Sequence, residues 1–412
     1  MYDLHLASEQ LEIRETVRDF VAREVKPFAI KSERLEALDR ALPLPLLDKA
    51  SQLGLRTLAL SEAGGGAGAD TLTGCLVAEE LAAGDPDLAA VLTETSCLGQ
   101  VLFDRVMTSA QRDRFLPLFG EDDRFHLALA DREPDHDPSL GADYHRPVAR
   151  EPAIRTRAVR TGSGEWIVNG AKDCVANAPL AKLFVVTVTT EPQADGDGIA
   201  SILVPRDAPG LTVTPHEEKD RWFHGACGAL TFQDCRVPAQ YFLDGNVARE
   251  HARLSEPIAA AINLGIGRAA YEAALDYSGL RIQGGRRIIE HQAIGTKLAE
   301  IAIRLTVARN AVWQAAWAAD HPEACDGGSL PDLPLAAIAR VFTAEAVHRA
   351  AKDAAECFGA MGVMRDMPLQ KYVRDALISL HQGGGPTEAK LEIAEALAGF
   401  RRAPAVSARA AE

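Results

Sequence analysis

The sequence lacks the paired cysteines that build metal sites or disulfide frameworks. Its seven cysteines stand singly at positions 75, 97, 174, 227, 235, 325 and 357, and no CxxC pair occurs. Cysteines scattered in this way predict neither a zinc site nor a set of disulfides. We therefore expect a protein whose cysteines are reduced and which binds no metal ion.

Long hydrophobic runs and an excess of basic charge are also missing. No segment approaches the ~18 consecutive apolar residues that a membrane-spanning helix needs. The first residues, MYDLHLASEQLEIRETV, have the mixed pattern of an amphipathic helix rather than that of a signal peptide. The net charge of −14 argues against nucleic acid and anionic membranes as main partners. We expect a soluble, cytoplasmic protein.

The chain is long enough for more than one hydrophobic core. With 412 residues, of which 47% are hydrophobic, two or three packed domains are expected. Helical periodicity over 1–125 gives way over 126–245 to short β-rich runs such as KLFVVTVTT and GIASILVPRD, which Gly, Pro, Asn and Asp separate. Long Ala-rich helical segments fill 246–400, and 401–412 is typical of a flexible tail.

The order of these segments predicts an α+β fold. An N-terminal α-helical domain precedes a middle antiparallel β domain, and four long helical segments then suggest a C-terminal four-helix bundle. Each helical part has enough apolar surface to pack on the other, with the sheet between them. We expect a ligand cleft where the sheet meets the bundle.

One short stretch, LHQGGGPTEAKLEIA over 380–394, has the pattern of a glycine loop that leads into a helix. Three consecutive glycines let the backbone come close to a ligand such as a phosphate or a carbonyl oxygen. At the apex of this loop only His381 can exchange a proton near neutral pH. The loop therefore predicts a binding site made of backbone, with no obvious acid or base.

Five stretches, in the same order, resemble the acyl-CoA dehydrogenase family over essentially all of 1–400. No single stretch is decisive, but their number and order make the resemblance specific. They are EWIVNGAKDCVANA (165–178), GIASILVPRDAPGL (198–211), LTFQDCRVP (230–238), YSGLRIQGGRRIIEHQAIGTKLAEI (277–301) and CFGAMGVMRDMPLQKYVRDALI (357–378).

The resemblance implies an FAD-dependent oxidoreductase of fatty acid metabolism that removes two hydrogens from an acyl-CoA thioester. In the family a carboxylate takes the α-proton, the β-hydrogen leaves as hydride to the flavin, and backbone N–H groups with a ribityl hydroxyl hold the thioester oxygen. The resemblance also implies an electron-transferring flavoprotein as the usual oxidant. It implies a homotetramer or dimer with FAD near a subunit interface.

Two residues match family positions that contact FAD around the arginine loop. Arg281, in the stretch RIQGG, falls on the arginine that binds the pyrophosphate, and a guanidinium suits a phosphate bidentately. Gln292 falls on a glutamine that contacts FAD. An exposed surface arginine and an exposed helical glutamine are the alternative interpretations. Gly284 replaces a family aromatic and weakens the expected contact on the adenine side.

The turn ECFGAMG matches a family turn that contacts the FAD of the neighbouring subunit. Here the family's glutamine and double glycine are replaced by Glu356, Gly359 and Ala360. A carboxylate beside a pyrophosphate repels it, so either Glu356 points away or the cofactor lies differently. Gly359 also has the pattern of a helix C-cap, which needs no cofactor.

The strand that faces the flavin in the family ends with Trp-Ile-Thr-Asn. The corresponding residues are Cys174, Val175, Ala176 and Asn177. The backbone of this strand can still reach a flavin, but the threonine hydroxyl is absent.

The glutamate that serves as the α-proton base in most of the family is missing. Counting without gaps places Gly383 at its position, and a gap of one residue places Gln382 there. Neither side chain is a base. The backbone N–H groups from Gly383 through Gly384 to Gly385 remain, and we expect them to hold a thioester oxygen or to contact FAD.

Members of the family that lack this glutamate carry their base at the start of the first helix of the C-terminal bundle. That position falls on Ser255, which has the pattern of an N-cap, and Glu256 follows it. Glu256 is therefore a candidate base, or alternatively a first-turn glutamate that complements the helix dipole. Glu94, on the helix that forms the floor of the acyl pocket, is a second candidate, or alternatively a hydrogen-bonded core acid.

Two functions follow from these residues. The first is α,β-dehydrogenation of an acyl-CoA thioester by an FAD enzyme whose base has moved to Glu256 or Glu94. The second is the same fold without dehydrogenase activity, either as a lyase on an acyl-CoA analogue or as a catalytically silent subunit of a hetero-oligomer. The combined departures at Ala176, Gly284, Glu356 and Gly383 favour the second function more than any one of them does.

Overall fold

A computed structural model describes residues 5–31, 35, 41–134, 154–190, 198–216, 223–243, 247–326, 330, 332–364, 366–382 and 385–398. The predicted tail at 401–412 and two residues of the glycine loop, Gly383 and Gly384, lie outside the described residues. No helix in these ranges has both the length and the apolar character needed to cross a membrane.

The N-terminal part is helical, as predicted. α4 and α5 are buried on almost every side, which is typical of helices in the centre of a domain. Asp85 caps α5 through its side chain and separates it from α4 without a loop. The helices are α1 (Ser8–Phe20), α2 (Lys26–Ala29), α3 (Leu44–Gln52), α4 (Thr71–Gly84), α5 (Pro86–Gly99) and α6 (Ser109–Glu121).

Among the described residues, the middle part forms one eight-stranded sheet. Its strands are β1 (His126–Ala130), β2 (Arg157–Arg160), β3 (Trp166–Ala176), β4 (Ala181–Thr189), β5 (Ile199–Pro205), β6 (Leu211–Pro215), β7 (Cys227–Val237) and β8 (Phe242–Leu243). The order is β6-β7-β3-β2-β4-β5-β8, with β1 beside β4. Most neighbours are antiparallel, as predicted, but β1 and β2 run parallel to β4, so the sheet is mixed.

The C-terminal part is again helical. The four predicted helical segments correspond to α7, α8, α10 and α12, and α11 is an additional helix. A small hairpin, β9 with β10, connects α7 to α8. The elements are α7 (Val247–Leu280), β9 (Ile282–Gln283), β10 (Arg286–Arg287), α8 (Gln292–Asp320), α9 (Glu323–Asp326), α10 (Leu335–Cys357), α11 (Leu369–His381) and α12 (Gly385–Leu397).

The two helical parts meet where α4 packs along α7. The backbones are so close that a Cβ atom at Gly265 would lie 2.5 Å from the carbonyl oxygen of Glu79, so only glycine fits there. Beside this contact, Arg268 binds Glu80 at 2.6 Å and Glu79 at 3.2 Å. Arg309 of α8 adds a 2.7 Å contact to Glu79. Hydrogen-bonded charge pairs of this kind satisfy two buried carboxylates between the domains.

The first strand of the sheet carries a buried histidine, His126, whose Nδ1 lies 3.1 Å from the hydroxyl of Thr95. Burial, with the Arg56 guanidinium nearby, lowers the pKa of His126 to about 4, whereas an unfolded chain titrates near ~6.5. Between these values the unfolded chain binds the proton and the folded chain does not. Folding stability is therefore lost as the pH falls from the unfolded to the folded pKa.

We predict that His126 alone removes about 3 kcal/mol of unfolding free energy as the pH falls from about 6.5 to about 4. Urea unfolding of wild type and His126→Asn at several pH values measures this, because the variant does not titrate in that range. His5→Asn, at an exposed histidine, is the control and is expected to follow wild type. Equal pH dependence of wild type and His126→Asn contradicts the prediction.

Candidate active site

The candidate site is a cavity of about 210 Å³ between the sheet and both helical parts. α5 supplies one wall, the end of β3 and the loop before β7 supply a second, and α7, α10 and α11 supply the rest. More than half of the lining side chains are polar or charged, among them Glu94, Asn177, His224, Glu256, Asn263 and Arg340. The cleft predicted between sheet and bundle is therefore present, and polar side chains stand among apolar ones in its wall.

Glu256 lies at the wall of this cavity, half-buried in α7. Burial raises its pKa above the usual value for a glutamate, the Arg340 guanidinium lowers it in part, and Glu388 raises it further. The same side chain also lines an outer cavity of about 490 Å³, together with Arg249 and Arg253. Glu256 therefore lies between the inner cavity and the outer cavity. Its proton affinity is higher than that of an exposed glutamate.

The predicted helix start at Ser255 is wrong. α7 begins at Val247, so Ser255 and Glu256 lie inside the helix, and Pro257 is accommodated within it. The reason is that Val247, His251 and Leu254 share the buried face and extend the helix toward its N-terminus. Glu256 consequently lies beyond the first turn, where the helix dipole has little effect on a carboxylate.

Glu94 lines the opposite wall, on α5, and is paired rather than isolated. Its Oε2 atom lies 3.3 Å from Nε2 of His251, whose side chain is 9% exposed. On the other side of the ring, Nδ1 of His251 lies 3.4 Å from the Ser255 hydroxyl. The sequence does carry a signal for part of this arrangement, because His251 and Ser255 are four residues apart on one helix face.

His224 is a cavity residue that the sequence analysis did not identify. Its Nε2 lies 3.2 Å from the carbonyl oxygen of Asp375 and 3.1 Å from the hydroxyl of Ser379, and its backbone N–H donates to Oε1 of Gln382 at 3.2 Å. His224 thus joins the loop before β7 to the last turns of α11. No local pattern marks it, because all these partners are distant in the sequence.

The glycine loop follows directly from this anchored helix end. Gln382 is the C-cap of α11, is exposed and lines the cavity. Gly385 begins α12 with φ +71°, a left-handed conformation that favours glycine. His381 is exposed and is not among the described residues that line the cavity.

The end of β3 forms another part of the wall. Ala176 is exposed and faces the cavity, whereas Val175 is buried. Cys174 and Asn177 have φ angles of 53° and 62°, which bend the backbone out of the sheet. Asn177 holds this bend by donating to the carbonyl oxygen of Val91 at 3.0 Å and to the Thr95 hydroxyl at 3.1 Å.

Cys174 lies in a small group with Asp173 and His216, beside this bend. His216 Nε2 is 2.9 Å from Asp173 Oδ1, and potential ligand atoms of all three residues lie within 4.8 Å of one another. Burial raises the pKa of the Cys174 thiol, Asp173 raises it further, and Arg132 lowers it in part. The thiol is therefore held in its protonated form at neutral pH.

A separate cavity of about 360 Å³ contains the predicted phosphate-side residues. Arg281, Glu356 and Gly359 line it together with Tyr277, His291 and Phe358. Gln292, the first residue of α8, and Ala360 are exposed and are not among the described residues that line it. The structure thus brings together three of the five residues predicted for this end of the cofactor.

Two features of this cavity concern Glu356 and Gly284, which differ from the residues of the family at these positions. Lys297 forms an ion pair with Glu356, which lowers the pKa of that carboxyl and offsets its negative charge. The ring of His291 lies beside Gly284, 3.3 Å from where a Cβ would be. An imidazole therefore occupies the neighbourhood in which the family has another aromatic side chain.

A buried ion pair holds α11, the helix that carries Ser379 and leads to Gln382. Lys371 Nζ lies 2.7 Å from Asp375 Oδ2, and both side chains are almost completely buried. Removing one partner leaves the other charge buried without its counterion, which is strongly unfavourable, whereas replacing both with apolar residues is often tolerated.

We predict that Lys371→Met lowers the free energy of unfolding by about 3–5 kcal/mol. The double variant Lys371→Met/Asp375→Leu is expected to recover most of that loss, because it removes the stranded carboxylate as well. Urea unfolding of both variants measures the difference. A single variant as stable as wild type contradicts the prediction.

Comparisons with known proteins match all three parts of the chain. Models of the acyl-CoA dehydrogenase N-terminal, middle and C-terminal domains match residues 7–121, 149–235 and 246–398. An acyl-CoA dehydrogenase of Bacillus subtilis is 30% identical over 382 residues, covering 91% of this chain and 94% of that protein.

Solved structures agree. Butyryl-CoA dehydrogenase from Megasphaera elsdenii superimposes with a TM-score of 0.81 at 25% identity, over 96% of this chain and 100% of that chain. A chain in a structure described as an electron transferring flavoprotein of Acidaminococcus fermentans gives a TM-score of 0.80 at 25% identity, over 96% and 99% of the two chains.

Proposed function

Since the chain belongs to the acyl-CoA dehydrogenase family, we propose that it is an FAD-dependent enzyme that removes hydrogens from the α and β carbons of an acyl-CoA thioester, with Glu256 as the base. The observation that carries this proposal is the position of Glu256. It is a carboxylate with a raised pKa in the wall of the cavity between the sheet and the bundle.

The residues present fit FAD at both ends. At the nucleotide end, Arg281 offers a guanidinium in a cavity that Gly359 also lines. No atom lies within 4 Å of the point where a Cβ of Gly359 would stand, so the backbone there is open to a close ligand. The Lys297 ion pair offsets the charge of Glu356, which otherwise repels a phosphate. The resemblance implies further contacts from Gln292 and Ala360, which are exposed and lie outside the lining of this cavity.

At the flavin end, Cys174, Val175 and Ala176 would supply backbone from the bent end of β3, where Ala176 faces the main cavity. FAD, when bound, supplies the acceptor for the hydrogen that leaves the β-carbon as hydride. Within one chain the two ends are separate cavities. We propose that a second copy of the chain completes the site, in a homotetramer or dimer, and that an electron-transferring flavoprotein accepts the electrons.

The chain's own residues supply the base for the α-proton and the donors for the thioester oxygen. A carboxylate oxygen of Glu256 accepts the α-proton, and burial makes this carboxylate a stronger base than an exposed glutamate. Backbone N–H groups from Gly383 through Gly384 to Gly385 would hold the thioester oxygen. Arg340 lowers the pKa of Glu256 in part and so favours the ionised form that can accept a proton. Glu94 is the second candidate base, although its pairing with His251 engages it.

We predict that Glu256→Gln lowers kcat by about 10²–10⁴-fold with little change in KM, because an amide cannot accept the α-proton. Anaerobic reduction of the flavin by acyl-CoA, followed by its absorbance, measures this. Glu250→Gln changes the same charge on the same helix, outside the main cavity, and is the matched control. Full activity in Glu256→Gln would rule out this base. If activity is then lost in Glu94→Gln, the role passes to Glu94.

The lack of a carboxylate at the end of α11, where Gln382 lines the cavity, favours a second function. In it the chain is a lyase on an acyl-CoA analogue or a silent subunit that supports an active partner chain. A purified protein without flavin that copurifies with a second dehydrogenase-like chain supports the silent subunit. A flavin-loaded protein that converts an acyl-CoA analogue without net oxidation supports the lyase.

We predict that the purified protein carries FAD and that Arg281→Ala weakens FAD binding by about 10- to 100-fold, the worth of one hydrogen bond to a charged group. Flavin content after dialysis, read by absorbance per mole of chain, measures the loss. Arg287→Ala, an exposed arginine on the same hairpin, is the control and is expected to keep its flavin. Retention of FAD by Arg281→Ala contradicts the assignment.

A further inference from the structure

A second and smaller cavity lies behind one wall of the main cavity of about 210 Å³. The small cavity has a volume of about 20 Å³, and α4, α5 and α7 supply most of its lining. Thr93 of α5 and Ile258 of α7 line both cavities. These two side chains therefore stand between the cavities, and the proposed mechanism does not use them.

The small cavity is more apolar than the main cavity. In the main cavity, Ile258 and Ile262 are the only large apolar side chains among the described lining residues. Besides Ile258, the small cavity has six large apolar side chains in its lining, all of them buried: Leu55, Leu58, Val77, Leu81, Leu92 and Leu254. Burial beside apolar groups stabilises the hydrocarbon end of an acyl chain. The side of the main cavity at Ile258, behind which the apolar lining continues, therefore suits that end.

Contacts with neighbouring helices hold this wall in position. Ile258 is 8% exposed, and a Cβ atom at Gly74 of α4 would lie 3.2 Å from the Cδ1 atom of Ile258. The Ile258 side chain thus reaches across from α7 to α4. The Thr93 hydroxyl donates to the carbonyl oxygen of Ala89 at 2.8 Å, which engages it within its own helix. We therefore expect an acyl chain to meet a fixed surface at Ile258.

Ile258 also lies close to the proposed base. It follows Glu256 by two residues on α7, which corresponds to about 3 Å along the helix axis. Both residues line the main cavity. An acyl chain whose α-carbon lies at Glu256 therefore meets Ile258 after only a few further carbons.

We propose that Ile258, together with Thr93, ends the part of the main cavity that holds the acyl chain, so that the enzyme acts on short acyl thioesters with an optimum of about four to six carbons. This inference rests on the proposed function, because it assumes that the α-carbon of the substrate lies at Glu256. It makes Ile258 a specificity-determining residue that contacts the end of the chain and takes no part in proton transfer.

The test compares straight-chain acyl-CoA thioesters of even carbon number, from butanoyl-CoA to dodecanoyl-CoA, on the flavin-loaded protein. Anaerobic flavin reduction gives kcat/KM for each thioester. Calorimetry gives dissociation constants on protein whose flavin has first been reduced with dithionite, so that no turnover occurs. In wild type, each step beyond the optimum is expected to lower kcat/KM by about 10-fold or more, because a methylene group that does not fit a pocket costs that much.

Two substitutions at Ile258 change the wall itself. Ile258→Ala removes most of the wall and joins the small cavity to the main one, so the optimum is expected to move up by about two to four carbons. Ile258→Val removes a single methyl group and disturbs folding less. It is expected to raise kcat/KM for the first thioester beyond the wild-type optimum by about 4-fold, the worth of one buried methylene group. Thermal unfolding is recorded for each variant.

Val77→Ala is the matched control, because Val77 lines only the small cavity. This substitution enlarges the space behind the wall while Ile258 still closes it, so the wild-type optimum is expected to remain. In the double variant Ile258→Ala/Val77→Ala, the optimum is expected to lie at a longer chain than in Ile258→Ala alone. An effect of Val77→Ala that appears only when Ile258 is shortened is expected of a wall and not of a general loosening of the core.

The outcomes distinguish this inference from the proposed function. If wild type uses dodecanoyl-CoA as well as butanoyl-CoA, or if both Ile258 variants keep the wild-type optimum, while acyl-CoA still reduces the flavin, the proposed function stands and the assignment of Ile258 is wrong. A shift in Val77→Ala alone as large as that in Ile258→Ala also overturns the assignment. If no thioester of the series binds or reduces the flavin, the proposed function is wrong and this inference falls with it.

Discussion

The buried ion pairs between α4 and α7 are the constraint on which the cavity depends. Glu79 and Glu80 are buried against the guanidinium groups of Arg268 and Arg309, Arg18 of α1 also binds Glu80, and Gly265 is required for the backbones to come close enough. α5 follows α4 without a loop, because Asp85 caps it directly. The network therefore determines how far the α5 wall stands from the α7 wall. As a consequence, Glu94 and Glu256 line the same cavity.

A shared principle connects the departures from the family pattern. Each unusual carboxylate has a cation close to it: Lys297 beside Glu356, His251 beside Glu94, and Arg340 near Glu256. Local charge balance of this kind lets acids occupy positions where an isolated carboxylate would be expelled or protonated. The charge of each of these carboxylates is thus offset locally.

Much of the fold was predictable because it depends on periodicity and composition. The three parts, the long helices and the strands around EWIVNGAKDCVA each carry a local pattern that the structure reproduces. α11 was missed because its amphipathic stretch lies between a turn and a glycine loop. The early start of α7 was missed because Ser255 and Pro257 have the pattern of a helix start, whereas burial of Val247 and Leu254 extends the helix.

The candidate site was predictable only in part. Resemblance pointed to Glu94, Glu256 and Arg281, and the structure places the first two in one cavity and Arg281 in another. Their roles stay predictions. His224 and His251 were not identified, because their partners Asp375 and Glu94 lie far away in the sequence. The spacing of His251 and Ser255 on one helix face indicates only their contact with each other. Long-range pairing of polar groups is a property of the packed chain.

The position of Glu256 between two cavities has a consequence for the path that a proton takes out of the site. The inner cavity is where a proton would be captured, and the outer one, lined also by Arg249 and Arg253, is the larger and more open to solvent. A carboxylate reached from both sides can receive its proton from within and release it outward. A proton released in this way does not have to pass back through the inner cavity to reach bulk water.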